Sequence, residues 1–161
     1  MYRTTIKGAF GNEMDITTEE MESLNGPQIY VVRDGDVIFY VGRSVDPFRR
    51  IYQHMGYEMK LPSSLGRLIL NNQPESDKWI FECHNLEDCL PLINQSLPKE
   101  WNEETKALAL RGCRIDPSKA EDCMIQALSP CLNTSHNNNP NSLPEKYRRY
   151  PTQSSAQYLR E

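Results

Sequence analysis

The sequence predicts a mixed α/β (α+β) fold in which a small three-stranded antiparallel sheet is flanked by helices. Two stretches rich in β-branched and aromatic side chains, 28–33 and 37–41, lie on either side of an Asp34-Gly35 pair. A third stretch of this kind covers 79–83. Aspartate-proline pairs, which mark helix starts, occur between the second and third stretches and again late in the chain.

The first two strands form a hairpin. Asp-Gly between two strand-like stretches is the strongest short hairpin signal, because a type I′ turn needs positive φ at both central positions. Alternation along each strand then defines two rows of side chains on the hairpin. The rows are Gln28, Tyr30 and Val32 on the first strand, and Ile38, Tyr40 and Gly42 on the second.

A helix follows the hairpin. Asp46 is an N-cap residue and Pro47 fits the first helical position, while Gly56 closes the helix. Arg50 and His54 are four residues apart, so they are neighbours on the helix surface. We expect them opposite the inward stripe, where they form either a solvated face or a cationic and titratable pair that looks across the sheet. The inward stripe consists of Phe48, Ile51, Tyr52 and Met55.

Further helices are predicted after Pro62-Ser63, over 100–111 and over 118–128. The last of these follows Asp116-Pro117 and ends before Pro130. Residues 71–77 are predicted as a turn. Residues 84–99 contain two prolines and little periodicity, so we predict a loop with one helical turn there.

The length of 161 residues suggests one domain with two flanking segments. Residues 1–25 form an N-terminal segment, in which 1–16 are expected to be poorly ordered and a short helix runs to Leu24 from Thr17 or Thr18. The main domain spans 26–134. Residues 135–161 form a polar C-terminal extension, whose end is a docked helix, a strand or a disordered tail.

Composition excludes some classes of function. The net charge of -4 argues against a protein that coats nucleic acid or membrane by bulk charge, although a local basic face stays open. The mean hydropathy is -0.67, and no apolar run approaches the ~18 residues of a membrane helix. No secretory signal is visible, and the five cysteines lack a Cys-x-x-Cys pair. We therefore expect a cytoplasmic protein without a disulfide framework or a membrane partner.

Glu121 is an unusual residue in the last helix, because it begins the stripe that continues with Met124, Ile125 and Leu128. A buried carboxylate is costly unless it is paired. From the sequence alone, we favour a position at the rim, where Glu121 stabilises the helix N-terminus or pairs with an arginine; a site for chemistry is the alternative.

The cysteines and histidines offer a weaker hypothesis, a zinc site. The cysteines lack the short paired spacing that closes a tetrahedral site, so we expect them to serve as small buried hydrophobic residues. The five positions are Cys83, Cys89, Cys113, Cys123 and Cys131.

One ordered set of residues is more specific than any of its parts. It runs through Gly26-Pro27-Gln28-Ile29-Tyr30, Tyr40-Val41-Gly42, Arg43, Arg50, His54, Glu121, Pro130 and Asn133. Over residues 26–134 this order resembles the GIY-YIG nuclease family. The resemblance departs from the family motif at Gln28, where glycine is usual, and at Val41, which replaces isoleucine. Residues 84–117 resemble an insertion before the metal-ligand helix.

The resemblance implies hydrolysis of DNA phosphodiester bonds with one divalent cation, Mg²⁺ or Mn²⁺. It implies that Glu121 is the metal ligand. Arg43 and Arg49 are expected to contact DNA. Because Glu100, Glu103 and Glu104 lie on an earlier helix, the ligand assignment is not automatic, but Pro130 and Asn133 follow Glu121 at fitting distances. The residues implied to be catalytic are Tyr30, Tyr40, Arg50, His54 and Asn133.

Three functions from different classes follow. The leading hypothesis is a metal-dependent DNA endonuclease, in restriction, mobile-element biology, repair or defence. The second is a catalytically inactive, nuclease-like module that binds DNA or a protein. The third is a zinc-stabilised interaction domain. A protein partner or a second copy of the chain remains open as the source of specificity.

Overall fold

The computed structural model describes residues 1–10, 26–58, 61–111 and 115–149. The α+β class is confirmed, but the sheet has four antiparallel strands instead of the predicted three. In sheet order β1-β4-β2-β3, the strands are β1 Tyr2–Thr5, β4 Ile80–Asn85, β2 Gln28–Asp34 and β3 Val37–Ser44.

The additional strand comes from the N-terminal segment that was expected to be poorly ordered. In β1, Tyr2 pairs with Cys83 and Thr5 with Ile80, so the strand covers an edge of β4 that would otherwise be open. Tyrosine and threonine favour strands, but the pairing is between distant parts of the chain. The helix predicted over 17–24 lies outside the described residues.

Six α-helices surround the sheet in the described part of the chain. They are α1 Ile6–Phe10, α2 Pro47–His54, α3 Ser64–Asn71, α4 Leu90–Ser96, α5 Glu103–Arg111 and α6 Pro117–Leu128. The predicted N-caps are confirmed, because Asp46 accepts a hydrogen bond from the Arg49 N–H at 3.0 Å and Asp116 from the Ser118 N–H at 2.9 Å. Short 3₁₀ turns cover Glu75–Lys78, Leu86–Cys89 and Glu145–Tyr147.

The hairpin is confirmed, although its turn differs from the predicted type. Gly35 has a φ of 55°, whereas Asp36 is not in the positive-φ region. One positive φ is what a type II′ turn requires at its first central position. A shift in the pairing register precedes the turn, between Val32 and Arg33.

The two faces of the sheet carry separate hydrophobic cores. Alternation along β2 sends Tyr30 and Val32 to the first core, with α1, α2 and α3, and sends Ile29 and Val31 to the second, with α4 and α6. Tyr147 belongs to the first core, so part of the predicted C-terminal extension is packed into the domain. No helix in the described ranges is long and apolar enough to span a membrane.

Candidate active site

Tyr30 and Gly42 lie side by side in the sheet, and the Tyr30 side chain is buried on its first face. The two residues are register partners on β2 and β3. A Cβ atom on Gly42 would overlap the ring of Tyr30 and would lie 2.8 Å from Cε1 of Tyr40. The missing side chain at Gly42 therefore makes room for both tyrosine rings, whose centroids are 6.0 Å apart.

His54, at the end of α2, lies against both tyrosines. Its Nε2 is 2.8 Å from the Tyr30 hydroxyl oxygen, and its ring centroid is 5.1 Å from that of Tyr40. His54 is buried, so the solvated-face interpretation of the Arg50–His54 pair is wrong for the histidine. The end of α2 that carries His54 therefore packs inward.

Ser63 holds the other side of the imidazole and was not singled out for the site by sequence reasoning. Its Oγ is 2.6 Å from His54 Nδ1 and accepts a hydrogen bond from the Gly66 N–H at 3.2 Å. The only signal in the sequence was Pro62-Ser63 as a helix start. The contact depends on how α2 and α3 pack, which local pattern does not reveal.

Arg50 lies one helical turn before His54 and is half-buried. Its Nη1 donates a hydrogen bond to Gln53 Oε1 at 2.9 Å. Its guanidinium is also close enough to Tyr30 to lower the pKa of that phenol, against larger opposing effects. A fixed cation therefore faces the hydroxyl that His54 holds.

Burial sets the protonation states of this group. It raises the pKa of Tyr30 strongly, with a further rise from Tyr40, while burial and then Arg50 lower the pKa of His54 to about 4. At neutral pH, a protonated phenol therefore faces a neutral imidazole. In the arrangement we assign, the Tyr30 hydroxyl donates to Nε2, and the Nδ1–H donates to Ser63.

Glu121 on α6 lines an adjoining cleft of about 300 Å³. Its Oε2 accepts a hydrogen bond from Arg43 Nε at 2.9 Å, which is the arginine pairing expected for a rim position. Burial raises the pKa of Glu121, and Arg43 opposes that rise. The carboxylate also raises the pKa of Tyr40, so it acts on the tyrosine pair. The cleft is lined by Tyr40, Glu121, Ile125, Leu132, Asn133, Thr134, Ser135 and His136.

Asn133 is buried beside this cleft and is engaged by the backbone of β3. Its Oδ1 accepts a hydrogen bond from the Val41 N–H at 2.9 Å, and its Nδ2 donates to the Val41 carbonyl at 2.7 Å. These contacts fit a residue that positions β3 better than one that touches substrate.

Arg49 is not brought into this group, although it precedes Arg50. Its Nε forms an exposed ion pair with Glu58 at 3.1 Å. The alternative metal ligands on α5, Glu103 and Glu104, are exposed to solvent, and Glu103 pairs with Lys106 at 3.1 Å. Glu100 is exposed as well.

The described cysteines mostly occupy the cores. Cys83, Cys89 and Cys123 are buried and form no disulfide with one another, as expected for small hydrophobic residues. Burial raises the pKa of Cys83 to about 12 and that of Cys89 to about 11, so both remain thiols. Cys113 lies outside the described residues.

The donor set fits a hard cation held by one carboxylate. Among the described residues, no three His, Cys, Asp or Glu side chains come together as a metal-binding group. Mg²⁺ commonly uses one or two protein carboxylates and completes its shell with water and substrate phosphates. Glu121, half-buried in an open cleft, can supply that single carboxylate.

Comparisons of the chain with protein-family models, curated proteins and solved structures find no match. The geometry around Tyr30 and Glu121 is therefore what indicates a function.

Proposed function

We propose that the chain is a metal-dependent DNA endonuclease of the GIY-YIG type, which hydrolyses phosphodiester bonds. The observation that carries the proposal is the 2.8 Å contact between the Tyr30 hydroxyl and a neutral His54. Arg50 and Glu121 lie near enough to influence the charges of the tyrosine pair. A phenol, an imidazole, a guanidinium and a carboxylate within electrostatic reach of one another suit in-line attack on a phosphate.

Tyr30 and His54 would share the work of the general base. An attacking water would give its proton to the Tyr30 oxygen while the Tyr30 proton moves to His54 Nε2. This sequence avoids a free phenolate, which the raised pKa of Tyr30 disfavours. Ser63 would hold His54 in the tautomer whose Nε2 can accept the proton.

Arg50 would bind the scissile phosphate. A planar guanidinium donates two parallel hydrogen bonds to phosphate oxygens and stabilises the charge that shifts onto them during attack. The contact between Arg50 and Gln53 holds a side chain that lines the same cleft as Arg43. Tyr40 would position Tyr30 and the water.

Glu121 would hold one Mg²⁺ or Mn²⁺ in the cleft beside Tyr40. When bound, such a cation stabilises negative charge on the phosphate and on the leaving oxygen. Asn133 would keep β3, and with it Tyr40 and Gly42, at a fixed distance from the carboxylate through its two bonds to Val41.

A cytoplasmic location belongs to the same proposal. The described cysteines, Cys83, Cys89, Cys123 and Cys131, form no disulfide with one another. Reduced cysteines fit a reducing compartment, in which an enzyme that acts on cellular or invading DNA would work.

The first test is cleavage of supercoiled and linear DNA with Mg²⁺, Mn²⁺ or chelator. We expect the unmodified chain to cut DNA and a chelator to abolish the cutting. Glu121→Ala should reduce cutting below detection but largely retain DNA binding in a gel-shift assay. Glu103→Ala is the matched control, because Glu103 is an exposed helical carboxylate. Cutting by Glu121→Ala, or loss of cutting in Glu103→Ala alone, would contradict the assignment.

The alternative, a nuclease-like module that binds without cutting, is favoured by the Arg43–Glu121 ion pair. A permanent pair would keep a cation from the carboxylate. Absence of metal-dependent cutting by the unmodified chain, with DNA binding intact, would support this second function.

A further inference from the structure

Arg43 lies between two clefts that the proposed reaction would use. It lines a cleft of about 330 Å³ together with Arg50, Pro27 and Pro117, while its Nε reaches Glu121 on the side of the other cleft. The Arg43 side chain is 49% exposed and the Glu121 side chain 23% exposed. The arginine is therefore the more accessible partner, and it shares its cleft with a second arginine.

Arg43 and a divalent cation would compete for the same carboxylate. Both are positively charged, and the guanidinium already uses Oε2 of Glu121. The other charged groups that act on this carboxylate are Asp122, which favours its protonation, and His136, which opposes it. Neither of them occupies an oxygen of Glu121 in the described contacts.

We propose that Arg43 blocks the Glu121 carboxylate reversibly and thereby couples cation binding to DNA binding. Without DNA, Arg43 holds Glu121. When a DNA phosphate enters the cleft that Arg43 shares with Arg50, the Arg43 guanidinium turns to the phosphate and frees the carboxylate for Mg²⁺ or Mn²⁺. This inference rests on the proposed function, and it gives Arg43 a role that a simple DNA contact would lack.

The exchange is favourable because the ion pair that Arg43 forms with Glu121 is weaker than the one it would form with a DNA phosphate. A partly exposed arginine–carboxylate pair is weak, whereas two arginines that converge on one phosphate form charge-assisted, bidentate hydrogen bonds. Val45, two residues further along, is 73% exposed, so open space adjoins the end of β3. The coupling is reciprocal: the factor by which DNA raises the affinity for the cation equals the factor by which the cation raises the affinity for DNA.

The test measures Mn²⁺ binding directly, from the free-ion signal in electron paramagnetic resonance. All proteins carry Tyr30→Phe, so that a short mixed-sequence duplex is not cut during the titration. Arg43→Gln is compared with its Tyr30→Phe parent, and Arg149→Gln is the matched control, because Arg149 is also 49% exposed and also pairs with a carboxylate, that of Glu75 at 3.3 Å. Circular dichroism confirms that each variant is folded.

We expect Arg43→Gln to bind Mn²⁺ about fivefold or more tightly than its parent in the absence of DNA, at the lower end of typical site-to-site couplings. DNA should increase the Mn²⁺ affinity of both proteins, but the increase in the parent should be about fivefold or more larger than the increase in Arg43→Gln. Arg149→Gln should behave like the parent in both titrations.

Two results would overturn the inference and are distinguishable. If Glu121→Gln abolishes Mn²⁺ binding but Arg43→Gln binds Mn²⁺ like the parent, the metal site is retained and the blocking role of Arg43 is wrong. If Glu121→Gln binds Mn²⁺ as tightly as the parent, the metal site of the proposed function is wrong, and the blocking role of Arg43 is wrong as well.

Discussion

Arg49 and Arg50 are adjacent in the sequence but have different surroundings. Successive helical residues point about 100° apart, so one faces the tyrosine pair and the other faces Glu58. This difference was expected from the spacing of Arg50 and His54, one turn apart. The Arg49–Glu58 and Arg43–Glu121 pairs were not foreseen as specific contacts, because side-chain pairing depends on the packed structure.

We predict that Arg50→Ala lowers the cleavage rate at saturating DNA by at least ~100-fold, the scale of a lost transition-state charge contact. Arg50→Lys should not restore full activity, because an ammonium cannot present the planar fork. Single-turnover cleavage with excess enzyme measures both effects.

Arg49→Ala provides the comparison for Arg50. It should leave the single-turnover rate nearly unchanged, weaken DNA binding modestly and flatten the salt dependence of that binding, as the loss of one phosphate contact does. Equal losses of rate in both alanine variants, with unchanged binding, would show that the two arginines do not divide the work in this way.

At the scale of elements, β3 is the strand that most needs support, because it lies at an edge of the sheet. Its outer side is covered by the chain after α6. The Cys131 N–H donates to the Ile38 carbonyl at 3.0 Å, and the Leu132 N–H donates to the Phe39 carbonyl at 2.9 Å. Asn133 continues this row with its side chain. The strand that carries Tyr40 and Gly42 is thereby fixed on both sides.

We predict that Asn133→Ala lowers the free energy of unfolding by about 2–4 kcal/mol, because the buried N–H and carbonyl of Val41 lose their partners together. Urea unfolding measures the change. Asn138→Ala, at an exposed asparagine in the same segment, is the control and should stay within about 0.5 kcal/mol of the unmodified chain. Similar midpoints for the two variants would contradict the support assigned to Asn133.

The elements that could be predicted from the sequence have local signals. The hairpin and the helices that begin at Pro47 and Pro117 are marked by a turn glycine or an N-cap, and all three are present. Helix α4 was missed because Pro91 was taken as a loop signal, although proline is tolerated in the first turn of a helix. Strand β1 was missed because its stability comes from pairing with β4, which a local pattern does not contain.

At the scale of the whole molecule, two buried titratable groups make stability depend on pH in separate ranges. Burial, then Arg50, lowers the pKa of His54 to about 4 from its ordinary 6.5. On β4, hydrogen bonds from His84 and Arg33 lower the pKa of Glu82 to about 2 from 4.5. In both cases the unfolded chain binds the proton more readily, so stability decreases as the pH falls.

We predict that the free energy of unfolding falls by up to about 3 kcal/mol as the pH decreases from 6.5 to 4, because His54 charges in the unfolded chain first. His54→Gln should remove this dependence between pH 6.5 and 4 while leaving the later decrease between 4.5 and 2 that Glu82 causes. Urea unfolding across the pH series measures both. An unchanged slope in His54→Gln would show that another group titrates in the upper range.

The division of the domain into two cores has a consequence for the timing of assembly. Tyr30 and His54 are held by the first core, whereas Glu121 is carried by α6, which packs on the second. Glu121 also follows the others in the chain, so a ribosome releases it last. Under the proposed function, a nascent or half-folded chain carries the base without the cation ligand. Cleavage would then require both faces of the sheet to be covered.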